Sequence, residues 1–245
     1  MLTGPHFSPS QREPEALQHR FEQVRERIGS AAVRFGRALD SINLIAISKS
    51  QSVEAMQVLV RSGQRDFGEN YIQEALPKLT ALRDPPLTWH FTGQLQANKT
   101  RDVAEHFQWV HTVDRERIAV RLNQQRPQHA PPLNVCIQVR LADEPGKGGI
   151  EAAQLFELAQ RIGQLPRLRL RGLMCVPPPA ERFELQRAAF QRLAALLQLL
   201  GEQPAAPNFQ LDALSMGMSE DLEAAIAAGA TWLRIGTALF GPRAT

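Results

Sequence analysis

Cysteine is scarce in this chain. The two present in 245 residues, Cys136 and Cys175, are too few for a disulfide framework. Both stand in apolar runs that read as strands, where a thiol behaves as a small buried hydrophobe. Tyrosine occurs once, and aromatic residues make up only 6% of the chain. No run approaches the roughly 18 apolar residues that a membrane-crossing helix needs, so no membrane span is expected. Charge of one sign is also lacking: 28 basic residues face 25 acidic ones, interleaved along the chain. Without a basic stripe carrying aromatic residues, nucleic acid is not an expected partner.

Several motifs are missing as well. The six histidines show no H-E-x-x-H or other metal-ligand spacing, and His106 and His111 fall on different elements, so no metal site is expected. No G-x-G-x-x-G follows a strand, there is no P-loop, and no G-x-S-x-G elbow occurs. Residues 1–14 have neither the apolar core of a signal peptide nor the Arg-rich character of a transit peptide. They read as a flexible tail, with the cytoplasm as the default location.

What is present is a strict alternation. Residues 15–36 read as a leading helix, with Leu17, Phe21, Val24 and Ile28 on one face. Short apolar runs then alternate with segments of helical period. The runs are 43–48, 66–68, 88–93, 109–113, 133–139, 168–174, 211–215 and 231–236. Ser52, Asp114 and Ser219 stand where helix caps belong, and Pro77 interrupts one helical pattern. Strands alternating with helices imply a parallel sheet, and eight such units in this length suit a closed (β/α)8 TIM barrel. A doubly wound open sheet usually carries fewer strands. The expected organisation is a single α/β domain over residues 15–245.

A barrel of this kind places its site at the C-terminal ends of its strands. Period-2 alternation puts Ile45, Ile47 and Lys49 on one face. If that face is the interior, the amine reaches the mouth over an apolar floor, where desolvation favours the neutral form that condenses with an aldehyde. From the strand pattern alone, a lysine that begins a loop and faces solvent is the stronger reading. Ser215-Met216-Gly217 and Gly236-Thr237 follow strands seven and eight, where phosphate is often bound. Ordinary tight turns use the same residues. Glu220 and Asp221 fill the first turn after Ser219, which turns the phosphate assignment towards loop amides and hydroxyls and away from that helix end. Arg234 shares parity with Trp232 and should point inward, either as a structural ion pair or beside a cofactor ring. A lysine, a phosphate cup and an inward arginine in one mouth suggest pyridoxal 5'-phosphate (PLP).

The segments LIAISKSQSVEAM, GQRDFGENYIQEAL, WHFTGQLQANK, NVCIQV, RLRGLM and LSMGMSEDLEAAIAAGATWLRIGTALFG occur in that order between residues 15 and 243. They resemble the YggS/PROSC family of pyridoxal phosphate homeostasis proteins. The resemblance implies the barrel of the alanine racemase N-terminal domain, standing alone. It also implies Lys49 as the Schiff-base lysine and Ser215, with Met216 beside it, in the phosphate-binding motif. Arg234 would lie near the pyridine nitrogen, Gly236 and Thr237 on the phosphate, and Asn70 in the pocket wall. Lys147 matches a further family lysine tied to PLP transfer. Two departures stand out: Gln51 replaces a frequent second lysine, and the chain ends at Pro242-Arg243-Ala244-Thr245 without a basic tail.

The function implied is a PLP carrier without robust turnover, monomeric, that hands the cofactor to PLP-dependent apo-enzymes. The alternative is a PLP-dependent amino-acid racemase. That reaction needs a base on each face of the substrate, and the only tyrosine is Tyr71. A third reading, an aldolase-type lysine without cofactor, leaves the phosphate cup and Arg234 unexplained.

Overall fold

The computed structural model of the chain describes residues 9–142, 148–204 and 206–242. Its core is a closed barrel in which eight parallel strands follow one another in chain order, β8 pairing with β1. The strands are β1 (Asn43–Ile47), β2 (Asp66–Glu69), β3 (Thr88–Phe91), β4 (Trp109–Val113), β5 (Leu133–Gln138), β6 (Leu168–Met174), β7 (Phe209–Ser215) and β8 (Trp232–Ile235). The helices are α1 (Pro9–Arg34), α2 (Val53–Arg61), α3 (Ile72–Ala81), α4 (Thr100–His106), α5 (Glu116–Gln125), α6 (Leu155–Gly163), α7 (Phe183–Gly201), α8 (Leu222–Ala227) and α9 (Thr237–Phe240). The barrel is therefore the one the alternation predicts, and two strands, β4 and β6, coincide with their expected ranges. Among the described residues, no helix is long and apolar enough to cross a membrane.

Some local expectations change. The described part of the leading helix, Pro9–Arg34, reaches into the stretch read as a tail. Ser52 caps α2 by accepting from the Ala55 N–H at 3.2 Å. Asp114 does not cap α5, whose N-cap is Arg115; its carboxylate instead accepts from the Arg115 guanidinium at 2.8 Å. Ser219 does not open α8, which begins at Leu222 after a turn that Asp221 closes by accepting from the Met218 N–H at 2.6 Å. Pro77 lies within α3, which runs on through it to Ala81.

Two cores follow from the two faces of the strands. The larger lies between the barrel and its helices. The smaller lies inside the barrel, where Trp109, Cys136, Met174 and Ala213 pack with Trp232 and Val176. At Gly68 an added Cβ would stand 2.5 Å from the Ile47 Cδ1, so the missing side chain on β2 makes room for the inward isoleucines of β1. Helix α1 buries Leu17, Phe21, Val24 and Ile28. Its arginines and Arg37 just beyond it reach the last units of the fold: Arg20 donates to the Leu239 carbonyl at 2.7 Å, Arg27 to that of Ser219 at 3.1 Å, and Arg37 to those of Ile226 and Ala230. The first helix thus ties down the segments that form one wall of the mouth.

Candidate functional site

At the C-terminal ends of the strands lies a cavity of about 410 Å³. Lys49, from the turn after β1, and Arg234, from β8, both line it. Asn70 and Thr92 form one wall, the Thr92 hydroxyl donating to Asn70 Oδ1 at 2.9 Å. Ile47, Met174 and Val176 supply apolar surface. Met218, Ser219, Glu220, Gly236 and Thr237 complete the rim. A larger cavity of about 950 Å³ lies at the opposite end of the barrel, beside Asn43 and Asp66. Size does not decide between them: only the mouth gathers an amine, a guanidinium and hydroxyls around apolar walls, the polar anchors and apolar lining of a small-molecule site.

Arg234 is 5% exposed, and burial pulls its pKa down from the usual arginine value. A guanidinium so placed needs partners. One nitrogen, Nη2, donates to the Cys175 carbonyl at 2.8 Å, and Nη1 donates to Ser215 Oγ at 2.9 Å. Behind Ser215 runs a chain of side chains through the barrel. Ser215 Oγ meets His111 Nδ1 at 2.8 Å, His111 Nε2 meets His90 Nδ1 at 2.9 Å, and His90 Nε2 meets Asp66 Oδ1 at 2.9 Å. The proton positions follow from the two ends, since arginine only donates and an ionised carboxylate only accepts. With both imidazoles neutral, Ser215 donates to His111, His111 to His90, and His90 to Asp66. Burial holds both rings neutral. It lowers the His90 pKa against the opposing pull of Asp66, and it takes His111 well below 6.5, with the Arg234 charge adding to the effect.

The cavity lining differs from the expected one at two positions. Ser215 and Met216 do not line the cavity; both are fully buried. Ser215 ends β7 with its side chain engaged by Arg234 and His111, and Met216 packs in the core outside the barrel. Ser219 stands in the cavity wall instead, beside Thr237. Its Oγ accepts from the Ala238 N–H at 3.1 Å, which leaves the hydroxyl proton to donate. The acidic residues after it were the reason to discount it, but Asp221 is turned back onto the Met218 amide. Lys49, Asn70, Arg234, Gly236 and Thr237 are brought together as expected. Thr92, Met174, Val176 and Met218 also line the cavity; all but Val176 stand within the quoted family segments, but no role was attached to them. Lys147 lies outside the described residues. Both cysteines are buried, and burial pushes their thiols up to about 12, which keeps them protonated and unreactive.

Gly217 and Gly236 are glycines for different reasons. Gly217 has φ +91°, and a Cβ there would stand 2.5 Å from the Ala225 Cβ. Gly236 has φ −120°, and a Cβ would make only ordinary contact with Ile47, the nearest atom at 3.5 Å. Packing requires the first glycine. The second keeps the cavity wall low and its amide approachable.

The fold and the mouth define a (β/α)8 barrel of the alanine racemase class, and the profile of the alanine racemase N-terminal domain matches residues 13–244. An alanine racemase from Clostridium difficile shares the fold, with a TM-score of 0.70 over 94% of this chain and 57% of that one, at 12% identity. A nearer relative is PipY of Synechococcus elongatus, solved with PLP bound: TM-score 0.80, 37% identity, covering 92% of this chain and all of that one. The chain is also 54% identical over 221 residues to the pyridoxal phosphate homeostasis protein of Pseudomonas aeruginosa, covering 90% of this chain and 93% of that protein. The counterpart in Escherichia coli is 49% identical over 231 residues, covering 93% and 97%. The chain belongs to the pyridoxal phosphate homeostasis protein family.

Proposed function

We propose that this protein binds PLP in the barrel mouth and serves PLP homeostasis, holding the cofactor on Lys49 and releasing it to PLP-dependent apo-enzymes. The observation that carries the reading is the convergence of Lys49, Arg234, Ser219 and Thr237 on one cavity of about 410 Å³. Its donor set fits the group: an amine for the aldehyde, a permanent cation facing the ring nitrogen, and hydroxyls for the phosphate. When bound, PLP would supply an aldehyde, the electrophile that a neutral Lys49 amine can hold.

The chain's own residues do the rest. Arg234, held from behind by Ser215 and the Cys175 carbonyl, presents its remaining N–H groups to the mouth. Because it only donates, it would hold a ring nitrogen facing it unprotonated, which favours holding the cofactor over turnover. Ser219 and Thr237 would offer hydroxyls to the phosphate, and Ile47, Met174 and Val176 would lie against the ring. Tyr71, the one tyrosine, is 57% exposed and lines a different pocket with Gln94 and Leu95, which counts against its serving as a racemase's second base. The setting we propose is the cytoplasm, with the protein acting as a monomer.

The test is the absorbance of the purified protein with PLP before and after borohydride reduction, followed by peptide mapping. A reduced pyridoxyl group on Lys49 is expected. Binding without a reducible adduct, or an adduct on another lysine of the mouth, overturns the assignment.

A further inference from the structure

Lys49 sits inside a turn, Ser48 to Gln51, in which the Gln51 N–H donates to the Ser48 carbonyl at 3.0 Å. Ser50 has φ +60°, the left-handed conformation that glycine ordinarily supplies and that costs any other residue. Two peptide groups flank Lys49: the Ser48 carbonyl on one side and the Ser50 N–H on the other. Side chains of a single helix hold both. Lys78 Nζ donates to the Ser48 carbonyl at 2.7 Å, and the Ser50 N–H donates to Glu74 Oε2 at 2.9 Å. Glu74 and Lys78 are four residues apart on α3 and so share a face, one turn apart.

The grip is reinforced from below. Lys78 is buried and also donates to Glu69 Oε1 at 2.8 Å, and Ser48 Oγ donates to that same oxygen at 2.7 Å. Glu69 is fully buried, and its other oxygen has no hydrogen-bond partner among the described residues. A buried ion pair with an orphaned carboxylate oxygen, beside a serine in a left-handed turn, is an expensive arrangement for a barrel rim. An apolar wall with a glycine turn would cost less. What the arrangement secures is the backbone on both sides of one residue.

We propose that Glu74 and Lys78 are positioning residues: α3 clamps the two peptide groups that flank Lys49 and thereby aims its amine into the mouth. The proposal rests on the assignment of Lys49 as the residue that holds PLP, and its tests separate the two.

The first measurement needs no cofactor. Amide hydrogen exchange of the full chain should show the Ser50 N–H protected in the wild type and at least about tenfold faster in Glu74→Ala. The second compares PLP with pyridoxine 5'-phosphate, which has an alcohol in place of the aldehyde and cannot engage the amine covalently. Glu74→Ala should weaken PLP binding and slow formation of the reducible adduct by about tenfold, while pyridoxine 5'-phosphate affinity stays within about twofold. Glu74→Gln keeps an acceptor and should restore most of the loss. Ser50→Gly in the Glu74→Ala background should do the same, because glycine adopts this φ unaided. Lys78→Met should repeat the Glu74→Ala pattern; if it does not fold, the Glu74 series decides. Unchanged Ser50 exchange, equal losses for both ligands, or no rescue by glycine overturns the clamp. A wild type whose Ser50 amide is protected but which forms no adduct overturns the PLP reading, and the aiming role with it.

Discussion

Arg234 donates to Ser215 Oγ at 2.9 Å, and this bond places the serine behind the site and not in it. Ser215 is the second link of a chain that carries the arginine's charge to the Asp66 carboxylate at the far end of the barrel, through two neutral imidazoles. Each link fixes the proton on the next, so the guanidinium has one orientation in which everything behind it is satisfied.

Replacing Ser215 by alanine should therefore act on stability first. It strands a buried guanidinium N–H and the His111 Nδ1 lone pair, at about 1–3 kcal/mol for each orphaned group. The urea midpoint should fall accordingly, while the preference for PLP over pyridoxal persists. Loss of that preference with stability intact would return Ser215 to the phosphate.

The reverse is expected on the rim. Ser219→Ala combined with Thr237→Val should leave the urea midpoint nearly unchanged. It should narrow the affinity gap between PLP and pyridoxal by about tenfold or more, since charge-assisted hydrogen bonds are about twice as strong as neutral ones. Binding measured by fluorescence titration with both ligands checks this.

Lys49→Ala should abolish the borohydride-reducible adduct and leave the fold intact, because its side chain lines the cavity and supports no core layer. Mass spectrometry after reduction, with circular dichroism as the control, reads both outcomes.

The buried histidines predict a pH dependence. His90 and His111 have folded pKa values below their usual 6.5, so on acidification the unfolded chain takes up protons before the folded one does. Their contribution is complete above about pH 6.5 and is lost as the pH falls below it, by at most about 1.4 kcal/mol per pH unit for each group. Buried Glu69, with its pKa raised, acts in the opposite direction at acid pH, so the comparison is between variants. Unfolding of His111→Gln should show a shallower loss between pH 6.5 and 5 than the wild type, and equal slopes would count against neutral buried rings.

The two glycines of the mouth separate packing from function. Gly217→Ala meets a positive φ and atoms at 2.5 and 2.9 Å, and should cost about 2 kcal/mol or more in thermal or urea unfolding. Gly236→Ala fits its backbone and neighbours, so stability should change by less than about 1 kcal/mol while PLP binding weakens.

Much of this was legible in one dimension. Period-2 runs alternating with period-3.6 segments specify a βα repeat because each element must bury one face, and Ile45 and Ile47 alternate along β1 with Lys49 in the turn that follows, lining the cavity. Strand ends were readable too, which is why Lys49, Asn70, Arg234, Gly236 and Thr237 were all named from sequence. What local pattern does not distinguish has one cause. Ser215 and Ser219 are four residues apart in the same motif, and local pattern treats them alike. Their depths differ because Ser215 closes β7 inside the barrel while Ser219 lies beyond Gly217, whose left-handed backbone carries the chain up onto the rim.

The alternation and the strand-end residues belong to the sequence alone, since they depend only on neighbours within a few positions and on the burial each element demands. The histidine chain, the hydrogen bonds of α3 to the turn around Lys49 and the different depths of Ser215 and Ser219 were decided by the closed barrel. Closure brings Asp66, His90, His111, Ser215 and Arg234, drawn from five different strands, within hydrogen-bonding reach, although Asp66 and Arg234 stand 168 positions apart in the chain. Donors and acceptors so placed acquire partners, tautomers and depths that no local pattern encodes.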